Sequence, residues 1–319
     1  MDFALDPDQQ QLCDQLRRFA ARELREPLAR SAAEGTFHEP GWRACAELGI
    51  FGLLAPAAHG GAEHDALTAA LALEALGRGC EDNGFLFSVG VQILAAILPV
   101  QTFGSEAQRR EHLGAMIEGR TVGALCASEA EAGSDLLALR TTAARDGDHV
   151  LIDGAKAWIT NAPLADLLIV LARDEDAGAV APVKGISAFL VARDTAGVVV
   201  GPPTDKLGLR GSPMADVQLQ QCRVPASCRL GPVGAGYTIF NTVMQWERVL
   251  LPCIYLGVME AQLERTCAHV RQRRQFDQPL AGFQAVGHAL ADMYARLESS
   301  RLLLYRAAWL MARRRQAAL

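Results

Sequence analysis

Two stretches of the 319-residue chain carry residue types suited to holding a flat, polar-edged ligand. Residues 126–135, CASEAEAGSD, are small and hydroxylated and end in Ala132, Gly133 and Ser134. So little bulk lets backbone N–H groups approach a ligand closely, and the Ser128 and Ser134 hydroxyls add directional hydrogen bonds. Residues 156–162, KAWITNA, read as a short strand. Strand alternation puts Trp158 and Thr160 on one face, an indole beside a hydroxyl, which suits a ring system with polar edges. Taken singly, the two stretches read first as a tight turn and an ordinary strand. A third feature is a carboxylate in an apolar stripe. On a helical wheel Met244, Glu247, Leu251, Ile254, Tyr255 and Val258 share one face. A carboxylate there is costly unless it is paired or has work to do as a base. The neighbouring Arg248 is a poor partner, because adjacent helical residues do not face each other.

Together the first two stretches resemble the acyl-CoA dehydrogenase family of flavoproteins, which carries T-E-P-x-A-G-S-D followed by K-x-W-I-T-N. Residues 128–135 match the former with Ser128 for Thr and Ala130 for Pro, and residues 156–161 match the latter throughout. The resemblance implies that FAD is the cofactor, with Leu125, Ala127, Ser128, Trp158 and Thr160 around its ring. Gly133 and Ser134 would lie near flavin and thioester, and Ser134 and Arg248 would contact substrate. Leu125 departs from the family, where that position is usually aromatic. Residues 206–226 resemble the segment that closes the family's middle domain, except at Pro213, Met214 and Ala215. Residues 271–284, RQRRQFDQPLAGFQ, resemble the family's R-x-x-F-G-x-x-L-x-x-x-Q, with Asp277 in place of Gly. There Arg273, Gln275 and Phe276 would reach a neighbouring subunit's flavin, which implies a homodimer or homotetramer.

The implied activity is α,β-dehydrogenation of an acyl thioester carried by CoA or by a carrier protein, with an electron-transfer flavoprotein as electron acceptor. Relatives continue into further helices that hold a Gly-rich FAD contact and the usual catalytic glutamate. Neither lies within these 319 residues, so weaker FAD binding is expected. A minority branch of the family places its glutamate where Glu247 stands, also followed by Arg, and this makes Glu247 the expected base. Glu129 corresponds to a structural acid in the family. Two other readings stay open: a flavin-binding relative with altered oxidation chemistry on a carrier-bound intermediate, and an idle paralogue that partners an intact subunit.

The elements that must position these residues divide the chain in three. Residues 1–124 read as an N-terminal α-helical domain. Asp6-Pro7 opens the first helix and Pro27 falls near its end, while the Phe3–Leu5 start also resembles the family. Helices are expected over residues 40–48, 66–77 and 89–103, with Ser105 capping a further one. Residues 125–230 read as an antiparallel β barrel or sandwich, with a hairpin turn at Asp153-Gly154. Strands are expected over 167–172, 186–191, 197–203 and 216–222. Residues 231–319 read as a helical bundle, with a seam of Val286, Leu290, Met293, Leu297, Leu304 and Met311 and a basic end at Arg313-Arg314-Arg315. No long helices alternate with the strands, so a doubly wound parallel sheet is not expected. The run GPVGAG at 231–236 lacks a surrounding βαβ unit and reads as a helix-entry loop.

Hydrophobic residues make up 50% of the chain, enough for a large core. A net charge of −5 offers nucleic acid no electrostatic footing. Eight cysteines without a C-x-x-C spacing point to reduced thiols rather than a metal site. The N-terminus lacks a basic-then-apolar leader pattern, and apolar runs are broken by Gly or Pro. The expectation is a cytoplasmic protein with no membrane span.

Overall fold

The computed structural model describes residues 4–25, 31, 34–80, 82–178 and 182–317. Phe3 and Pro27 therefore lie outside the described residues, as do the side chains of Arg314 and Arg315 and part of the loop expected between Asp174 and Lys184. The N-terminal part contains α1 (Pro7–Phe19), α2 (Glu39–Glu47), α3 (Ala66–Gly79), α4 (Asn83–Phe103) and α5 (Glu106–Ile117). Local sequence sets their starts. Asp6 and Gln9 form a reciprocal capping box at α1, and Ser105 and Gln108 repeat it at α5. Asp65 caps α3. Helix α4 begins six residues before its expected start, because the Asp82 carboxylate accepts from the Gly84 and Phe85 amides.

Within α4, Gln92–Ile97 is π-helical, a local widening that is frequent at functional sites. Gln92 is fully buried there. Its Nε2 donates to the carbonyls of Met116 (3.1 Å) and Thr121 (2.9 Å), and its Oε1 accepts from Gly123 N at 2.9 Å. This side chain anchors the start of the first strand to α4. Helix α4 is long and apolar enough to cross a membrane, and most of it is buried inside the fold, as expected of a core helix.

The middle part is an eight-stranded sheet of β1 (Gly123–Cys126), β2 (Thr142–Asp146), β3 (His149–Thr160), β4 (Leu167–Asp174), β5 (Ile186–Ala192), β6 (Val198–Val200), β7 (Met214–Pro225) and β8 (Arg229–Leu230). Their order is β6-β7-β3-β2-β4-β5-β8, with β1 against β4. Pairing is antiparallel except for β1–β4 and β2–β4. The hairpin turn lies at residues 147–148, not at Asp153-Gly154. Gly147 takes the left-handed backbone the turn needs (φ 62°) and joins β2 to β3. Residues 153–154 instead run on within β3 opposite a bulge of β7, where Gln220 and Gln221 face Asp153 alone. Gly154 (φ 151°) passes so near Thr141 that a Cβ would lie 2.5 Å from its hydroxyl. The Asp153 carboxylate accepts from both the backbone and side-chain N–H of Gln221 across the ladder. A Gly flanked by apolar alternation marks either feature, and here it marks the bulge.

Helices α6 (Gly236–Gln272) and α7 (Gln284–Ala317) complete the chain, joined by a small hairpin of β9 (Arg274–Gln275) and β10 (Gln278–Pro279). Helix α6 continues through Pro252 and crosses α3 at backbone distance. A Cβ on Gly77 would lie 1.9 Å from the Ile254 carbonyl oxygen, and one on Gly257 would lie 2.0 Å from that of Glu74. Glu74 is buried and accepts from Arg301 Nε (2.8 Å) and Tyr305 OH (2.6 Å), tying α7 to α3. Arg301 also reaches Glu260 at 3.3 Å. The expected seam holds at Leu290, Leu297, Leu304 and Met311, whereas Met293 is exposed. Tyr294, Leu302, Leu303 and Leu310 also lie on the outer side of α7. Arg313 lies over the Trp309 ring, 4.1 Å from its centroid.

Candidate functional site

The 126–135 stretch follows β1, and the loop is fastened to β3. Ala157 N donates to the Ser128 carbonyl at 3.0 Å, and Glu129 and Ala132 form an isolated bridge. Ala127 is buried, Ser128 and Leu125 are partly buried, and Gly133 and Ser134 are exposed. Gly133 has no atom within 4 Å of where a Cβ would stand, so this rim is open to a ligand.

On β3 a second bulge decides which side chains face the ligand side. Lys156 pairs with Val217 and Ile159 with Ala215, leaving Ala157 and Trp158 opposite Asp216 alone. Cross-strand partners share a face, so Lys156 and Ile159 both point toward the buried side. Strict alternation would have put Lys156 with Trp158. Trp158 adopts φ 58°, unusual for a non-glycine residue. Its N–H is held by the Asp216 carboxylate at 3.0 Å. Its indole is 54% exposed, a large apolar ring turned outward beside partly buried Thr160.

Glu247 comes to this region through packing. Val91 and Ala95 of α4 and Val243 of α6 form a small apolar cluster against which Phe87, Leu125 and Met244 pack. Leu125 of β1 thus packs on the same cluster as Val243, which stands one turn before Glu247 on α6. One turn after it, Leu251 fills the space at Gly90, where a Cβ would meet its Cδ1 at 2.4 Å. Glu247 is partly buried, and among the described residues it forms no hydrogen bond or ion pair. Burial pushes its carboxyl up to about 7. Arg248 is exposed and forms no salt bridge with it.

The fold sets Leu125, Ala127 and Ser128 beside the β3 segment that carries Trp158 and Thr160, and it packs Leu125 on the cluster that Val243 joins, one turn before Glu247; Gly133 and Ser134 are exposed. It does not bring Arg273, Gln275 and Phe276 to them. These lie beyond the far end of α6, roughly 39 Å along the helix from Glu247 at 1.5 Å rise per residue. Phe276 is 88% exposed at the hairpin tip. Residues that sequence reading left without a role are Lys156 and Gln92. Lys156 stood inside a matched motif, but the bulge that turns it inward had no sequence signal. Gln92 was an unremarked polar residue in an apolar helix.

The chain matches the family descriptions of the acyl-CoA dehydrogenase N-terminal domain over residues 6–120, the middle domain over 124–222 and the C-terminal domain over 234–318. It is 39% identical over 317 residues to an L-prolyl peptidyl-carrier protein dehydrogenase of Pseudomonas fluorescens, covering 97% of this chain and 80% of that protein. Among solved structures, the prolyl acyl carrier protein oxidase AnaB superposes with TM-score 0.93 at 36% identity, covering 98% of this chain and 82% of that one. PigA with FAD and proline superposes with TM-score 0.93 at 33% identity, covering 97% and 80%.

Proposed function

The chain belongs to the acyl-CoA dehydrogenase family, and from that premise we propose that it desaturates a small acyl group bound as a thioester to a carrier protein, with Glu247 as the base. It is an FAD-dependent oxidoreductase acting on a CH–CH bond of an acyl thioester. The observation that carries the assignment of the base is the unpaired Glu247 carboxyl beside the Val91–Ala95–Val243 cluster. Two relatives named for prolyl groups on carrier proteins support the carrier-bound substrate.

The residues present fit the cofactor: an outward indole, a partly buried hydroxyl and an unobstructed glycine rim offer a flat ring both a stacking surface and close backbone contact. Ala127, Ser128, Trp158 and Thr160 would hold it, with Leu125 at its edge. Bound FAD supplies the oxidising power by accepting the β hydrogen.

The remaining work falls to the chain's own side chains. Glu247 takes the α proton onto its carboxylate. A carboxyl poised near 7 is a far stronger base than an ordinary one while still being substantially ionised at neutral pH. Phe87, Val91 and Met244 would give the acyl group an apolar surface near this carboxylate, which favours a raised basicity. Ser134 at the open rim and exposed Arg248 are assigned to the thioester arm. The proposed electron acceptor is an electron-transfer flavoprotein. The protein is assigned a homo-oligomeric state, in which Arg273, Gln275 and Phe276 serve a neighbour's flavin.

The test is spectroscopic. Purified protein is mixed without oxygen with prolyl- and short acyl-carrier protein thioesters and with the matching CoA thioesters. The expected result is bleaching of the flavin band by a carrier-bound thioester within seconds. Bleaching only by CoA thioesters would overturn the carrier assignment, and bleaching by neither would favour an idle or altered relative.

A further inference from the structure

The two stretches assigned to flavin are joined by a buried ion pair that the reaction itself does not use. Lys156 is 1% exposed. Its Nζ donates to Glu129 Oε1 at 2.8 Å and to the Ala127 carbonyl at 3.2 Å. Glu129 Oε1 also accepts from the Thr141 amide (2.9 Å) and hydroxyl (2.6 Å), and Oε2 accepts from the Arg140 amide at 2.6 Å. Burial by itself would raise the Glu129 carboxyl; the donors from Lys156, Thr141 and Arg140 outweigh it and hold the group down at about 2. Burial lowers the Lys156 ammonium, and Glu129 opposes that change.

A charge pair this deep is a weak source of stability, since an apolar pair of similar volume packs as well or better. What an apolar pair lacks is direction. The Lys156 ammonium fixes where the Ala127 carbonyl stands, and the next residue, Ala157, fixes the Ser128 carbonyl through its amide. Directly after these two anchors comes Trp158 in its left-handed conformation. Such a conformation persists only where the surroundings over-determine it. Its other holds are Asp216 on the Trp158 amide and Asn161, whose amide donates to the Pro213 carbonyl and whose side chain donates to Ser88.

We infer that Lys156 and Glu129 are positioning residues for the flavin: their pair sets the spacing between the Ala127–Ser128 backbone and the Trp158–Thr160 bulge, so the cofactor site is built before the cofactor arrives. This rests on the flavin reading given above. The competing account is an ion pair that only holds the core. Thr141 separates the two, because its hydroxyl supports the same carboxylate while making no hydrogen bond to Ala127, Ser128, Trp158 or Thr160.

The experiment titrates FAD into apoprotein for the wild type, Lys156→Met and Thr141→Val, with thermal unfolding and the visible circular dichroism of bound flavin recorded for each. Lys156→Met is expected to weaken FAD binding by about tenfold or more and to alter the flavin dichroism. Thr141→Val is expected to lose thermal stability yet stay within about threefold of wild-type affinity. Lys156→Met binding FAD within about threefold of wild type, or Thr141→Val weakening it equally, would overturn the inference. Should Lys156→Met fail to fold, hydrogen exchange of the wild-type apoprotein decides. The Ala157 amide should already be protected without FAD, and protection that appears only with FAD would count against a prebuilt site. A wild-type chain that takes up no flavin overturns the flavin reading and this inference together; normal uptake with an unaffected Lys156→Met overturns this inference alone.

Discussion

Glu247 is where the molecule holds a carboxyl against its own preference for water. Its folded pKa, about 7, lies above the ordinary 4.5. The sign of the linkage follows: the stability tied to this group is fully present below its unfolded pKa and is lost as pH rises through the folded one. The difference is on the order of 3 kcal/mol at alkaline pH. Glu247→Gln, which cannot ionise, should therefore melt at a higher temperature than wild type at pH 8 and at the same temperature near pH 4.5. The same variant should keep FAD but reduce it on substrate addition about 1,000-fold more slowly. Wild-type kcat/KM should rise with pH and level off above about 7, as a base requires. A stability gain without loss of flavin reduction would leave Glu247 as a misplaced carboxyl and move the base elsewhere. This residue was legible in the sequence because helical spacing put it inside an apolar stripe. The inward turn of Lys156 was not, because it depends on where β3 slips against β7.

At the scale of elements, the crossing of α3 and α6 sets local propensity against packing. Alanine exceeds glycine in a helix by about 1 kcal/mol. At Gly257, however, the added methyl would stand 2.0 Å from the Glu74 carbonyl and 2.6 Å from Arg78 N, both backbone atoms that cannot swing aside. Forced overpacking of this kind costs about 3 kcal/mol, so Gly257→Ala should show a net loss of about 2 kcal/mol in denaturant unfolding. Gly287 in α7 has nothing within 4 Å, and alanine there should gain up to about 1 kcal/mol. If the two variants behave alike, the close crossing is wrong. Capping residues made the starts of α1 and α5 readable in advance. The turn between β2 and β3 was missed because Gly147 and Gly154 look alike in sequence. The pairing of Asp153 with Gln221 marks the bulge, and that partner lies 68 residues away.

For the whole molecule, the β9–β10 hairpin is the part that offers a large apolar ring to a partner: Phe276 is 88% exposed. Phe276 and Asp277 both take positive φ, 51° and 62°, as a tight two-residue hairpin turn demands. Aspartate tolerates that conformation in place of the family's glycine, so the tip keeps its form and presents Phe276 to solvent. Sedimentation should find a dimer or larger species. Phe276→Ser should shift it toward monomer and weaken FAD binding by about tenfold; an unchanged mass and affinity would remove the hairpin from the interface. Helix α4 also has a consequence in time. Its apolar side meets Val243 and Leu251, which leave the ribosome about 150 residues later, a delay of roughly 8–30 s at 5–20 residues per second. Through that interval a segment with the length and apolarity of a membrane span has no α6 to cover it. The nascent chain is thus a ready client for chaperones that shield apolar helices, and a sluggish synthesis of the α6 region would favour aggregation even where the finished protein is stable.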